Sequence, residues 1–164
     1  DVYKRQVPHF AGRVCPSQPK LRGAWVGLNW NHGLGHLYKA VLEGIGLEYG
    51  VYCKILKQLY PSFKFIEIRI TGGGAKSLVW NRLKANILQI PVVQLTKTEG
   101  APMGVAMLAG YGVGLFKNLD SIARKWVAKG TSYTPDKKLK EFYISLVEKY
   151  ECLLKGLSRY YELK

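Results

Sequence analysis

An α/β fold with a parallel component is predicted by the order of elements along this 164-residue chain. The stretch "FKFIEIRI" (63–70) alternates apolar and polar residues and runs into three consecutive glycines, Gly72, Gly73 and Gly74. A helical pattern follows, then a second short apolar strand after Pro91, then a helix rich in glycine and alanine. Strand, helix, strand and helix at these lengths describe strands joined by crossover helices.

Taken in order, the segment up to about Leu28 holds Pro8, Pro16 and Pro19 with Gly12, Gly23 and Gly27, and reads as loop leading into a short strand through "AWVGL". From Asn31 a long helix is expected, because Leu34, Leu37, Val41, Ile45, Tyr49, Tyr52 and Leu56 recur every three or four residues. Gly44, Gly46 and Gly50 lie inside it, each weakening a helix by ~1 kcal/mol against alanine. Their expected use is close approach to another backbone. The 63–70 strand ends at the glycines, and a helix follows through Val79, Leu83, Ile87 and Leu88. "PVVQL" (91–95) is the second strand. "EGAPMGVAMLAGYGVGLF" (99–116) is a helix whose first turn accommodates Pro102. Beyond Asn118 the text becomes helical and rich in lysine. "SIARKWVAKG" is expected to be helix stopping at Gly130. Leu139, Tyr143, Leu146, Tyr150, Leu153 and Leu157 form one stripe of a last helix that docks on its own domain.

Composition supports a packed core, with 48% hydrophobic and 22% charged residues. Three cysteines (Cys15, Cys53, Cys152) with no CxxC pair argue for a reducing cytoplasm over a disulfide framework. No apolar run reaches the length of a membrane span and no signal peptide is recognisable, so no membrane partner is expected. The chain opens "DVYKRQVPHF", without methionine or a clear element start, and is expected to be a piece of a longer protein. A formal charge of +14 favours anionic partners. The basic residues are dispersed, and Trp25, Trp30, Trp80 and Trp126 do not interleave with them as a nucleic-acid platform would require. A non-catalytic basic nucleic-acid-binding module is therefore the second reading, not the first.

The glycines carry the chemistry. A strand entering a Gly-rich turn that opens a helix brings bare backbone against a phosphate or nucleotide. Two common motifs fail: a P-loop needs glycine where Ala75 precedes Lys76 and Ser77, and the dinucleotide fingerprint needs its third glycine at Ser77. A plain tight turn would need only one glycine, so a ligand is favoured. His32 and His36 stand four apart, but Gly33 and Gly35 separate them and no further ligand lies nearby; no metal site is expected. The aspartates are Asp1, Asp120 and Asp136, and Glu43, Glu48, Glu67 and Glu99 form no evident pair. No catalytic residue is assigned, because nothing here supplies a base for phosphoryl transfer or an activated nucleophile. The chain reads as able to bind a nucleotide and unable to complete a reaction.

Four stretches between about Phe10 and Phe116 resemble the FGGY carbohydrate kinases. "GAWVGLNWNHGLGHLYKAVLEG" (23–44) is similar to the family's second signature, with His36, Leu37, Ala40, Val41, Leu42 and Glu43 at its last positions. "ITGGGAKSLVWNRLKANILQIPV" (70–92) resembles its adenosine-binding glycine motif, and "EGAPMGVAMLAGYGVGLF" its Gly/Ala helix. "AGRVCPSQPKLRG" (11–23) resembles its loop ahead of the signature strand, although the xylulokinase-like branch often carries Gly-Glu-Arg-Thr-Pro where this chain has Gly12 to Pro16.

The resemblance implies a ribonuclease-H-like lobe of the actin/hexokinase ATPase superfamily, here a C-terminal lobe truncated at its start (1–116), with a helical C-terminal extension packing on it (117–164). It implies transfer of the ATP γ-phosphate to a sugar hydroxyl, a xylulose-like pentose being the substrate indicated. The aspartate base, one phosphate loop and most of the Mg²⁺ and sugar contacts would belong to an N-terminal lobe, and the Gly-Thr-Ser phosphate turn that opens the C-terminal lobe would lie upstream of Asp1, so this chain alone is expected to be inactive. Gly72, Gly73, Gly74, Ala75 and Lys76 would lie against the adenosine of ATP or ADP. The glycerol-kinase branch places an asparagine four residues beyond the second motif glycine, where this chain has Leu78. A face left uncovered by the other lobe is expected to favour a homodimer.

Overall fold

The computed structural model describes residues 4–97 and 99–163; Asp1 lies outside them. Two compact units are drawn from Asp1–Lys64, Asn86–Gln89 and Asp136–Lys164, and from Phe65–Ala85 with Ile90–Pro135.

In the first unit β1 (Arg5–Val7) and β2 (Ala24–Val26) pair antiparallel, with Arg5 opposite Val26 and Val7 opposite Ala24. The long helix α1 (Leu34–Leu59) packs on β1 and on the last helix, α5 (Lys140–Glu162). Its glycines set these distances. A Cβ on Gly44 would overlap the carbonyl oxygen of Gln6 in β1. Gly50 faces Val147, where a Cβ would come 2.7 Å from Cγ2, and Gly46 faces Ile87 at 2.5 Å from Cδ1. Close approach to backbone thus holds for Gly44, while the other two admit side chains.

The buried stripe of α1 is not the one its apolar residues describe. Leu34 is 85% exposed, and Tyr49 and Leu56 are also at the surface. Ala40, Glu43, Gly44, Leu47, Glu48 and Val51 are buried instead. Hydrophobicity misplaces the stripe because two of its members are acids, admitted only because cations meet them. Arg13 donates from Nε to Glu48 at 2.7 Å, and His9 Nε2 lies 3.3 Å from the other Glu48 oxygen. Lys39 Nζ is 3.5 Å from Glu43, one helical turn on. The α5 stripe falls close to its expected register, burying Tyr143, Leu146, Val147, Tyr150 and Leu154.

Two tyrosines beside Glu48 make this unit sensitive to alkali. Burial, reinforced by the Glu48 carboxylate, pushes the Tyr52 hydroxyl up to about 12 and raises that of Tyr150 as well. Because the folded pKa lies above the ordinary 10.0, the stabilisation is complete below that pH and lost as pH rises towards about 12. Ionisation of both hydroxyls should therefore cost stability as pH rises through that window. Urea unfolding between those pH values should show the loss, and Tyr52→Phe should lessen it while leaving the part due to Tyr150.

The second unit holds a mixed three-stranded sheet ordered β3–β4–β5. The strands β3 (Ile68–Ile70) and β4 (Val92–Leu95) run parallel, Ile68 opposite Val92 and Ile70 opposite Gln94, with α2 (Leu78–Leu88) between them in sequence. Ala85, Val92 and Tyr133 form its buried centre, with Ile68 and Ile70 packed against them. The Gly/Ala helix is α3 (Gly100–Gly112), and α4 (Leu119–Trp126) begins at Asn118, whose side chain accepts from the Ser121 N–H at 3.0 Å.

Two expectations need correction here. The first strand is three residues long, not eight, and Ile66 is 84% exposed. The segment through Gly130 is not helical to its end: α4 stops at Trp126 and β5 (Lys129–Tyr133) pairs antiparallel with β4, Val92 opposite Tyr133 and Leu95 opposite Lys129. The free edge of β4 outweighs the local helical pattern. Gly130 allows strand contact, since a Cβ there would sit 3.0 Å from the Gln94 carbonyl oxygen. The region after residue 117 therefore contains a strand as well as helices.

Candidate functional site

Parallel strands aim their C-terminal ends at one edge of a sheet, and that edge is where open α/β sheets bind ligands. With Ile70 opposite Gln94, the glycines after β3 and the residues Thr96, Lys97 and Glu99 after β4 leave the sheet on that edge. Thr71 and Gly100 bring them together, a Cβ on Gly100 lying 3.0 Å from Thr71 Cγ2.

Each of the three glycines has its own reason. Gly72 has φ +85°, a conformation that side chains rarely adopt. Gly73 opens a single 3₁₀ turn (Gly73–Lys76), and a Cβ there would meet nothing within 4 Å. Gly74 is covered, because its Cβ would lie 2.5 Å from Cζ3 of Trp80. Bare backbone facing open space is therefore found at Gly72 and Gly73, and of the two only Gly73 has a conformation that a side chain adopts without strain. Ala75 is 1% exposed, its N–H donates to the Gly72 carbonyl at 3.1 Å, and its carbonyl accepts from Asn81 Nδ2 at 2.7 Å. Lys76 is exposed. Ser77 caps α2, its hydroxyl accepting from the Trp80 N–H at 3.3 Å.

Next to Thr71 and Gly100, at the start of α3, opens a pocket of about 460 Å³ lined by Thr96, Lys97, Glu99, Pro102, Met103 and Trp126. That volume lies in the range of small-molecule sites. Its aromatic wall is braced: Phe116 meets the Trp126 ring edge-on at 5.5 Å and rests on Gly110, which has no room for a side chain. Lys97 Nζ stands 5.9 Å from the centre of the Trp126 ring. An aromatic face, a carboxylate and a cation around one opening suit a flat, hydrogen-bonding, negatively substituted ligand.

The remaining sequence candidates are placed elsewhere. His32 and His36 stand at the start of α1 with ring centres 5.4 Å apart, and each accepts a backbone N–H at Nδ1, from Asn29 at 2.9 Å and from Gly33 at 3.2 Å. Glu67 is held at the surface by Arg69 and Lys129, both at 2.7 Å, and these cations hold its carboxyl below the usual range. Among the described residues no three His, Cys, Asp or Glu side chains gather as a metal site would require. Trp80, Asn81, Lys97 and Trp126 also stand at the candidate site, and no short motif in the sequence marks them. Asn81 gave one usable signal: asparagine is a poor helix former, so inside α2 its amide has work elsewhere, here on the Ala75 carbonyl.

A glycine turn and a pocket, both at the C-terminal edge of a parallel strand pair, mark an α/β domain with a candidate ligand site. The model of the FGGY family of carbohydrate kinases, C-terminal domain, matches residues 4–113. The chain belongs to that family. It is 31% identical over 150 residues to a xylulose kinase of Staphylococcus epidermidis, covering 91% of this chain and 30% of that protein. An L-fuculokinase of Escherichia coli is 37% identical over 94 residues, covering 57% of this chain and 20% of its own length. The crystal structure of a xylulose kinase from Rhodospirillum rubrum superposes with a TM-score of 0.79 at 28% identity, covering 98% of this chain and 32% of that one. The chain thus spans about a third or less of the length of these relatives. Among the described residues no helix is long and apolar enough to cross a membrane.

Proposed function

We propose that this chain is the nucleotide-binding part of an ATP-dependent sugar kinase, a ribonuclease-H-like lobe of the actin/hexokinase type. The observation that carries the reading is Gly73, whose bare backbone faces open space and which leaves the sheet on the same edge as Thr96, Lys97 and Glu99 of the pocket under Trp126. In this reading Gly72, Gly73, Gly74, Ala75 and Lys76 hold the adenosine, with Lys76 and Lys97 available to the phosphates. The pocket's volume and its aromatic wall fit a purine ring, and a net charge of +14 favours a polyphosphate. ATP supplies the phosphoryl group that is transferred. The chain's own residues bind and orient the nucleotide, and Trp126 excludes water from one side.

The described carboxylates are scattered or paired with cations, so they do not fit a Mg²⁺ site of their own. The proposal assigns Mg²⁺, the catalytic base and the sugar contacts to the remainder of a longer enzyme, as the coverage of the relatives supports. A pentose resembling xylulose is the substrate assigned, because xylulose kinases match over nine tenths of the chain. Residues 1–116 are assigned to the nucleotide lobe and 117–164 to an extension on it, in line with a family match ending at residue 113. The compartment assigned is the cytoplasm.

Calorimetric titration of the chain with ADP tests the reading. Saturable one-site binding that persists at high salt is expected. Absence of binding, or binding of oligonucleotides that collapses with salt, would replace it with a basic nucleic-acid module.

A further inference from the structure

Lys84 is 6% exposed, yet among the described residues no carboxylate pairs with it. Its ammonium instead lies 3.7 Å from the centre of the Trp80 ring, one helical turn earlier on α2. A buried cation without an acidic partner is expensive, and burial holds the Lys84 ammonium below its ordinary pKa. The ring that receives this cation is the one whose Cζ3 edge covers Gly74, 2.5 Å from where a Cβ would stand. From the residue after Trp80, Asn81 grips the Ala75 carbonyl at 2.7 Å. Both holds on the glycine turn therefore originate from one turn of α2, and Lys84 fixes the ring in the first of them.

We infer that Lys84 is a positioning residue for the glycine turn, acting through its cation–π contact with Trp80. A desolvated ammonium on an indole face is among the stronger contacts of this kind, and it restricts the rotamer of the side chain that covers Gly74. The side-chain-free surface at Gly73 is then presented in one conformation, which lowers the ordering cost of binding. That effect on affinity rests on the proposed nucleotide site; the effect on the turn does not.

The test uses the whole 164-residue chain, its Lys84→Met and Lys84→Arg variants, and ADP as the probe. Methionine keeps the apolar stem and removes the charge. Lys84→Met is expected to melt at or above the temperature of the parent, since an unpaired buried charge is gone. Amide hydrogen exchange at Gly73–Ser77 should nevertheless speed up about five- to tenfold, as expected for loss of a desolvated cation–π contact. ADP affinity should fall by about the same factor, and Lys84→Arg should restore both. Trp80→Leu provides a second arm that removes the ring itself and should speed exchange at least as much. Unchanged exchange in Lys84→Met would overturn the inference, whether or not Trp80→Leu speeds exchange. Normal exchange changes with no ADP binding by the parent would sink the nucleotide reading and leave the positioning role standing.

Discussion

Gly73→Val is expected to weaken ADP binding by about a hundredfold or more, ~2.7 kcal/mol, while leaving the melting temperature unchanged. The separation of the two effects comes from where the new side chain goes. A Cβ on Gly73 meets no protein atom within 4 Å, so nothing in the fold resists it. An isopropyl group there occupies the space from which a ligand would reach the turn. Gly74→Val is a poorer test, because its Cβ would strike Trp80 and disturb the turn whether or not a nucleotide binds there. Titration calorimetry and thermal melting on the same preparations check the prediction. Retained affinity in Gly73→Val would move the ligand away from the turn.

Gly44→Ala is expected to cost about 2–3 kcal/mol of stability, towards the upper end of the range for an added methyl in a packed interior. The added carbon would overlap a backbone carbonyl, that of Gln6, which cannot swing aside as a side chain could. β1 cannot retreat easily, since Arg5–Val7 is paired to β2. α1 cannot either, since Gly46 and Gly50 seat it against Ile87 and Val147. Gly35→Ala is the control: it lies in the same helix with nothing within 4 Å, and should be near-neutral. Urea unfolding of both variants gives the comparison. A loss below ~1 kcal/mol for Gly44→Ala would mean that the helix and β1 are less closely locked than their geometry indicates.

The legible parts of the fold were those where local pattern and tertiary contact agree. The turn after β3, the helix after it, the parallel return through "PVVQL" and the Gly/Ala helix all lie where their residues indicate. Pro102 stands in the first turn of α3, where a missing N–H is harmless. The failures share one cause, in that a partner distant in sequence overrides the local signal. Lys129–Tyr133 is a strand because β4 offers it an edge, and no property of "KGTSY" announces that edge. The buried stripe of α1 includes Glu43 and Glu48 because Arg13, His9 and Lys39 meet them. At the site, the glycines were visible and their separate causes were not. The φ of Gly72, the ring over Gly74 and the open face of Gly73 are facts of three dimensions. Trp126 joins the pocket from a helix more than twenty residues beyond Met103, a distance that no short motif spans.

The most direct test of the proposed nucleotide site is amide NMR of the ¹⁵N-labelled chain titrated with ADP. The account predicts shifts concentrated at Gly72–Ser77, at Thr96 and Lys97, at the first turn of α3, and at the Trp126 indole N–H. All should saturate together and all should vanish in Gly73→Val. Shifts confined to the lysine-rich surface of α5, or none at saturating ADP, would contradict it.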